Sequence, residues 1–262
     1  MSELRALLFD VDGTLADTER DGHRVAFNRA FREAGLDWDW TPELYGALLA
    51  VTGGKERMLY YLERFRPDFA RPADLAGFVA GLHGAKTRHY TEMLDSGAIP
   101  LRPGVARLIG EARAAGCLLG IATTTTPDNV LALLRNALAP DASDWFDIIA
   151  AGDIVPRKKP APDIYLWAME RLGLSPAECV ALEDSRHGLD AARDAGIRAV
   201  VVTVNGYTAD QDFSGATLVL DSFGEPGRPA HRLSGGAEVT GHVTLETLRA
   251  VHVAASRRAA EP

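Results

Sequence analysis

Short apolar runs recur along the chain, with longer amphipathic stretches between them. The runs are Ala6–Phe9, Cys117–Ala122, Phe146–Ala150, Cys179–Leu182, Ala199–Val204 and Leu218–Leu220. Runs this short, bounded by Asp, Thr or Gly, predict buried strands of a parallel sheet, which are apolar on both faces. The stretches between them carry helix signals. Pro103–Ala115 places Val105, Leu108, Ile109 and Ala112 on one face, and Pro127–Leu138 starts with proline after a row of threonines, the pattern of a capped helix start. Strand and helix in alternation predict an α/β fold with a doubly wound, Rossmann-like parallel sheet.

Residues 17–95 break that rhythm. They hold no strand pattern but several helical ones: Phe27, Ala30, Phe31 and Ala34 on one face, a helix start at Thr41-Pro42-Glu43, and a longer helix marked by Leu75, Phe78, Val79 and Leu82. The expected organisation is therefore a core domain of residues 1–16 and 96–224 with a small all-helical domain, 17–95, inserted after the first strand. Residues 225–262 form a C-terminal extension that opens with Gly, Pro and Arg and carries a helical pattern over Val243–Ala255. The pattern assigns it no role.

Composition narrows the partners. Apolar residues make up 47% of 262, enough for a sizeable core, and the formal net charge is −8. An acidic chain is not steered toward nucleic acid or an anionic membrane, so neither is expected as a partner. No apolar run approaches the roughly 18 residues of a membrane span, and the N-terminus lacks a signal-peptide core, so the expected location is the cytoplasm. Cys117 and Cys179 have neither metal-ligand nor redox spacing and read as small core residues.

In a parallel sheet, ligands bind beyond the carboxyl ends of the strands, so the polar residues after each run are the candidates. The first run leads into Asp10-Val11-Asp12-Gly13-Thr14. Two carboxylates one step apart on the same side repel unless a cation or shared proton intervenes, which suits either a divalent metal site or a solvated aspartate-rich turn. A calcium loop is excluded, because it needs Gly at position 6 and Glu at position 12, where Leu15 and Asp21 stand. The second run ends at Thr123, whose hydroxyl is placed to donate to a phosphoryl oxygen, while Thr124, Thr125 and Thr126 suit the start of the next helix. Arg157-Lys158-Lys159-Pro160 is the densest basic cluster in an acidic chain. It is either solvated surface or, at Lys159, a counter-charge for phosphate and Asp10. The fourth run ends in Glu183-Asp184, two acids that are costly at a strand tip unless solvated or metal-bound.

Taken in order, DVDGT, a threonine after an apolar run, KKPAPD and ED resemble the four motifs of the haloacid dehalogenase-like phosphohydrolases, over residues 1 to about 222. The inserted helical block matches their cap domain. The resemblance implies Asp10 as nucleophile, Asp12 as general acid/base, and Thr123 and Lys159 as holders of the phosphoryl group. It also implies Mg2+ ligated by Asp10, by the carbonyl of Asp12 and by Asp184, with Glu183 ligating or supporting from nearby. Asp37-Trp38-Asp39-Trp40, Thr52-Gly53-Gly54-Lys55-Glu56-Arg57, the Ala122–Thr125 run and Ala151-Gly152-Asp153 further resemble the CbbY-type phosphatases of Calvin-cycle bacteria. Those act on xylulose 1,5-bisphosphate, an inhibitory by-product of Rubisco, so a functional link to Rubisco metabolism is implied. Gly54, Lys55, Arg57 and Thr124 become expected substrate contacts. His23 matches the cap-hinge histidine of these relatives once one residue is inserted after Asp17.

Three rival readings stay open on sequence. β-Phosphoglucomutase-like enzymes carry a lysine where this chain has Thr126. Phosphoglycolate phosphatases act on a smaller substrate than Lys55 and Arg57 suggest. Phospho-receiver modules share the acidic site and the Lys-Pro, but they are half this length and lack an inserted cap.

Overall fold

The computed structural model describes residues 3–51 and 53–258; Thr52 of the glycine motif and the end of the extension lie outside the described residues. The chain divides into two compact units, Met1–Asp17 with Pro100–Pro262, and Thr18–Ile99. Its elements run β1 (Ala6–Phe9), α1 (Arg24–Glu33), α2 (Pro42–Leu48), α3 (Gly54–Arg64), α4 (Leu75–Asp95), α5 (Val105–Ala114), β2 (Leu118–Ala122), α6 (Pro127–Leu133), β3 (Ile148–Ala150), α7 (Asp163–Leu172), β4 (Cys179–Glu183), α8 (Arg186–Asp194), β5 (Ala199–Thr203), β6 (Leu218–Leu220), β7 (Arg232–Gly235) and α9 (Leu245–Arg258).

The first unit is a seven-stranded sheet in the order β3-β2-β1-β4-β5-β6-β7. Strands β1 to β6 pair in parallel and β7 joins β6 antiparallel. The sheet is thus the expected doubly wound one. β1 lies between β2 and β4, with Phe9 opposite both Ile121 and Leu182. The loops after these three strands therefore meet at one edge, where the strand order reverses and such sheets bind ligands. Ala6 and Leu8 join Ala122, Ala150, Ile164, Tyr165, Leu189 and Val200 in one core cluster. Period-two alternation sends Leu7 and Phe9 to the other face, and all four β1 side chains are buried. Helices α7 and α8 touch each other, as do α5 and α9, so both faces are covered.

Several predicted boundaries shift. Cys117, Phe146 and Asp147 precede their strands, and Val204 lies past the end of β5. The face expected on α5 is the buried one: Val105, Leu108, Ile109 and Ala112. Helix α6 starts at Pro127 as expected, but the Thr126 side chain makes no capping bond. The extension holds the expected helix, α9, and also β7, whose residues are all exposed and which no apolar pattern announced.

The second unit is helical. A π-helical turn, Thr18–His23, leads into α1, which packs chiefly on α4. Phe27, Ala30 and Phe31 are buried as expected, but α1 ends at Glu33 and Ala34 is exposed beyond it. Thr41 accepts from the Leu44 amide and Pro42 occupies the first turn of α2, as the helix-start pattern required. In Asp37-Trp38-Asp39-Trp40 the tryptophans turn inward and the aspartates outward. Asn28 fixes that segment, donating to Asp39 Oδ1 at 2.8 Å and to Trp40 O at 3.0 Å, and accepting from Trp40 N at 2.9 Å.

Candidate active site

Asp10 is the first residue past β1, and its amide continues the ladder by donating to Leu182 O at 2.9 Å. The chain then folds back on itself. The amides of Thr14, Leu15 and Ala16 all donate to Val11 O, and Gly13 takes φ +87°, a left-handed conformation that suits glycine. A Cβ on Gly13 would fall 2.1 Å from Asp184 Oδ2 and 2.7 Å from Asn205 Nδ2. The glycine of the DVDGT motif is therefore what lets this turn lie against the end of β4.

Four predicted residues meet here. Lys159 Nζ donates to Asp10 Oδ1 at 2.7 Å and to Glu183 Oε1 at 2.6 Å. Asp10, Glu183 and Asp184 are all buried, and one carboxylate oxygen from each lies within 4.8 Å of the others. The rest of the basic cluster faces elsewhere. Lys158 pairs with Asp153 at 2.9 Å and Arg157 with Asp163 at 2.9 Å, so of these three basic residues Lys159 alone serves the carboxylates. Thr123 stands at the end of β2, 1% exposed, its amide donating to Ala150 O, whereas Thr124 is exposed. Asp12 is partly exposed, and its carboxylate is not part of the buried trio.

Three carboxylates against one ammonium leave the cluster with an excess of negative charge, and the side chains record it. Burial, then the charges of Asp10 and Glu183, push the Asp184 carboxyl well above the usual range. Burial likewise takes Glu183 up to about 7, against the pull of Lys159. Burial would lower the Lys159 ammonium, but Asp10 and Glu183 outweigh it and hold the pKa above its ordinary value. Glu183 Oε2 is buried with no hydrogen-bond partner among the described residues. An all-oxygen donor set with uncompensated charge fits a hard divalent cation of the magnesium kind.

Two contributors went unread in the sequence. Asn205 follows β5 and donates to Asp184 Oδ2 at 2.7 Å, while its own Oδ1 accepts from the Tyr207 amide. It is a polar residue at a strand end, so the rule that found Asp10 and Asp184 was able to find it. Tyr165, in the first turn of α7, donates its hydroxyl to Glu183 Oε1 and carries Lys159 Nζ over its ring, 5.3 Å from the centroid. Its only sequence signal is a tyrosine on an apolar helix face, where a buried hydroxyl needs a partner.

The helical unit brings His23 and Arg57 into a second polar cluster. Lys86 Nζ lies 2.8 Å from His23 Nδ1, and the imidazole stacks on Tyr90. Arg57 donates to Tyr45 Oη at 2.8 Å, Tyr45 donates to Glu19 at 2.5 Å, and Arg57 and Glu19 lie 4.0 Å apart. Arg57 Nε is buried without an acceptor among the described residues. Gly54 opens α3, and a Cβ there would strike the His83 ring at 2.7 Å; Lys55 beside it is exposed.

Residues 4–196 match the family model described as haloacid dehalogenase-like hydrolase. The chain is 54% identical to protein CbbY of Rhodobacter capsulatus over 82% of this chain and 91% of that one. With the plasmid-borne CbbY of Cupriavidus necator it shares 49% identity over 95% and 97% of the two chains. Its fold is similar to a crystal structure of CbbY from Rhodobacter sphaeroides in complex with xylulose-(1,5)bisphosphate, at 47% identity, 84% and 94% coverage and a TM-score of 0.70.

Proposed function

The chain belongs to the haloacid dehalogenase-like hydrolases and is a phosphatase, and on that footing we propose that it hydrolyses a small sugar bisphosphate, xylulose 1,5-bisphosphate, through a phosphorylated Asp10. The observation that carries the chemistry is Lys159, held 2.7 Å from Asp10 inside a buried carboxylate trio. A carboxylate at a strand tip with a fixed ammonium beside it is a nucleophile able to approach an anion.

In the first displacement an Asp10 oxygen bonds to phosphorus as the bond to the sugar oxygen breaks, and Asp12 gives its proton to the leaving alkoxide. In the second, water attacks the phosphorus, its proton returns to Asp12, and the Asp10–phosphorus bond breaks to release inorganic phosphate. Lys159 and the Thr123 hydroxyl hold the phosphoryl oxygens, so most of the rate enhancement is electrostatic. Asp10, Asp184 and the Asp12 carbonyl would hold Mg2+, which when bound supplies positive charge to a site with an excess of carboxylates.

Substrate choice is assigned to the helical unit. Arg57 and Lys86 are each 9% exposed, with Glu19 4.0 Å from Arg57 and a neutral His23 beside Lys86. Lys55, exposed at the start of α3, and Arg57 supply basic side chains suited to a second phosphate. Thr124 and the backbone at Gly54 are the accompanying contacts. Xylulose 1,5-bisphosphate is favoured by the likeness to CbbY, and a link to Rubisco metabolism follows from that substrate.

The test is Mg2+-dependent phosphate release from xylulose 1,5-bisphosphate, ribulose 1,5-bisphosphate, phosphoglycolate and β-glucose 1-phosphate. Selective turnover of the first is expected, with Asp10→Asn lowering kcat by at least about a thousandfold. Release from another compound alone would discard the substrate and keep the chemistry. Undiminished turnover in the asparagine variant would remove Asp10 from its role.

A further inference from the structure

The buried face of α7 reaches the catalytic lysine by way of a phenol. Tyr165 and Glu183 are each 0% exposed, and the Tyr165 hydroxyl donates to the same oxygen, Oε1, that accepts from Lys159 Nζ. The other oxygen of Glu183 is packed so close to Gly188 that a Cβ there would lie 1.8 Å away. Two donors on one oxygen and a glycine backbone against the other leave the carboxylate a single orientation. Tyr165 meets Lys159 a second time, since its ring lies under the ammonium.

We propose that Tyr165 is a positioning residue for Lys159: its hydroxyl fixes Glu183 as the counter-charge of the lysine, and its ring supports the lysine from below. Glu183 then serves Lys159. The lysine needs this help because it answers to two carboxylates at once. Attraction alone would let Nζ settle between Asp10 and Glu183 in more than one way, whereas a Glu183 pinned by a third group fixes the point from which Lys159 reaches Asp10 Oδ1. The inference rests on the phosphatase reading for its effect on turnover, but not for its geometry.

Tyr165→Phe removes the hydroxyl and keeps the ring and its packing in the core. Removing a group that orients a catalytic side chain usually costs about 10- to 100-fold in activity. A fall of that size is expected in kcat on p-nitrophenyl phosphate, with KM changed less than about threefold and the melting curve close to that of the wild type. Glu183→Gln is expected to cost at least as much, and the double variant no more than Glu183→Gln alone, because both act through one bond. A crystal structure of Tyr165→Phe reads the positioning directly: Lys159 Nζ is expected to leave hydrogen-bond distance of Asp10 Oδ1. An unmoved lysine, an unchanged kcat, or losses that multiply in the double variant would overturn the inference. Should the wild type hydrolyse nothing, the phosphatase reading fails, and the crystal structure still decides the role of Tyr165. If the phenylalanine variant does not fold, Glu183→Gln replaces it in the crystal, with the same displacement of Lys159 expected.

Discussion

His23 is partly buried, and the Lys86 ammonium points at its Nδ1. That nitrogen can only accept, so the proton sits on Nε2 and the ring is neutral. Burial lowers its pKa to about 3; Glu19 opposes the shift, while Lys86, Arg57 and His83 add to it. An unfolded chain protonates the same histidine near 6.5. Below that pH the unfolded state binds a proton that the folded state refuses, so this histidine's contribution to stability falls as pH drops from 6.5 toward 3 and is constant above 6.5. His23→Gln keeps an acceptor for Lys86 and does not titrate. The stability difference between wild type and this variant, from urea unfolding followed by Trp38 and Trp40 fluorescence, should be constant above pH 6.5. It should shrink by about 1 kcal/mol per pH unit below, slightly under the full linkage slope because the ring is not wholly shielded. A flat difference down to pH 5 would show that His23 is protonated in the folded protein.

Single residues were legible where chemistry and pattern coincided. Asp10, Thr123 and Asp184 are buried polar residues that close apolar runs, so position alone nominated them. Lys159 took more, since Arg157 and Lys158 look the same in sequence and only the fold turns one of the three inward. Tyr165 was hidden because a tyrosine on an apolar helix face reads as core, which it also is.

Elements are tied together by an arginine that no pattern announced. Arg102 follows the return of the chain from the helical unit, and its amide donates to Leu15 O at 2.8 Å. Its guanidinium is 8% exposed and donates to Gly13 O, to Thr203 O at 3.0 Å, to Val204 O at 2.6 Å and to Asp221 O at 2.9 Å, with Asp17 Oδ1 3.3 Å away. One side chain thus gathers the turn after β1, the ends of β5 and β6, and the residue where the chain leaves this unit. Lysine keeps the charge but has no planar fork to reach so many carbonyls. Arg102→Lys should lower stability by about 2–4 kcal/mol in urea unfolding, because it strands buried acceptors. It should also lower turnover, because the Gly13 turn carries Asp12. A loss under about 0.5 kcal/mol would show that water replaces the guanidinium. The arginine escaped notice because it precedes a helix-start proline and belongs to no apolar run. The ends of the six predicted strands were legible to within two residues, as Cys117 and Phe146 illustrate: an apolar residue before a strand reads like the strand itself.

At the scale of the whole molecule, the α/β class followed from the alternation of buried runs with helical stretches. The role of the extension and its strand β7 did not follow, because its contribution is mostly backbone and scattered contacts. Helix α9 lies against β4, β5 and α5, with His252 3% exposed and its Nε2 2.7 Å from Ala177 O. The amide of Leu245 donates to Glu111 Oε2 at 3.0 Å, and that of Val243 to Phe223 O at 2.8 Å. No helix among the described residues is long and apolar enough to cross a membrane.

All four residues of strand β7 are exposed, and by burial alone it looks dispensable. Yet it pairs with Leu218, Val219 and Leu220, all buried, which without it would form the margin of the sheet. A bare apolar margin of that kind is a template on which another molecule's strand can add. A chain ending at residue 224 should therefore scatter more light than the full-length protein and elute as large assemblies during gel filtration; elution like that of the full-length protein would refute this. The last strand sets where the sheet stops growing, and so keeps each molecule from becoming the seed of a fibre.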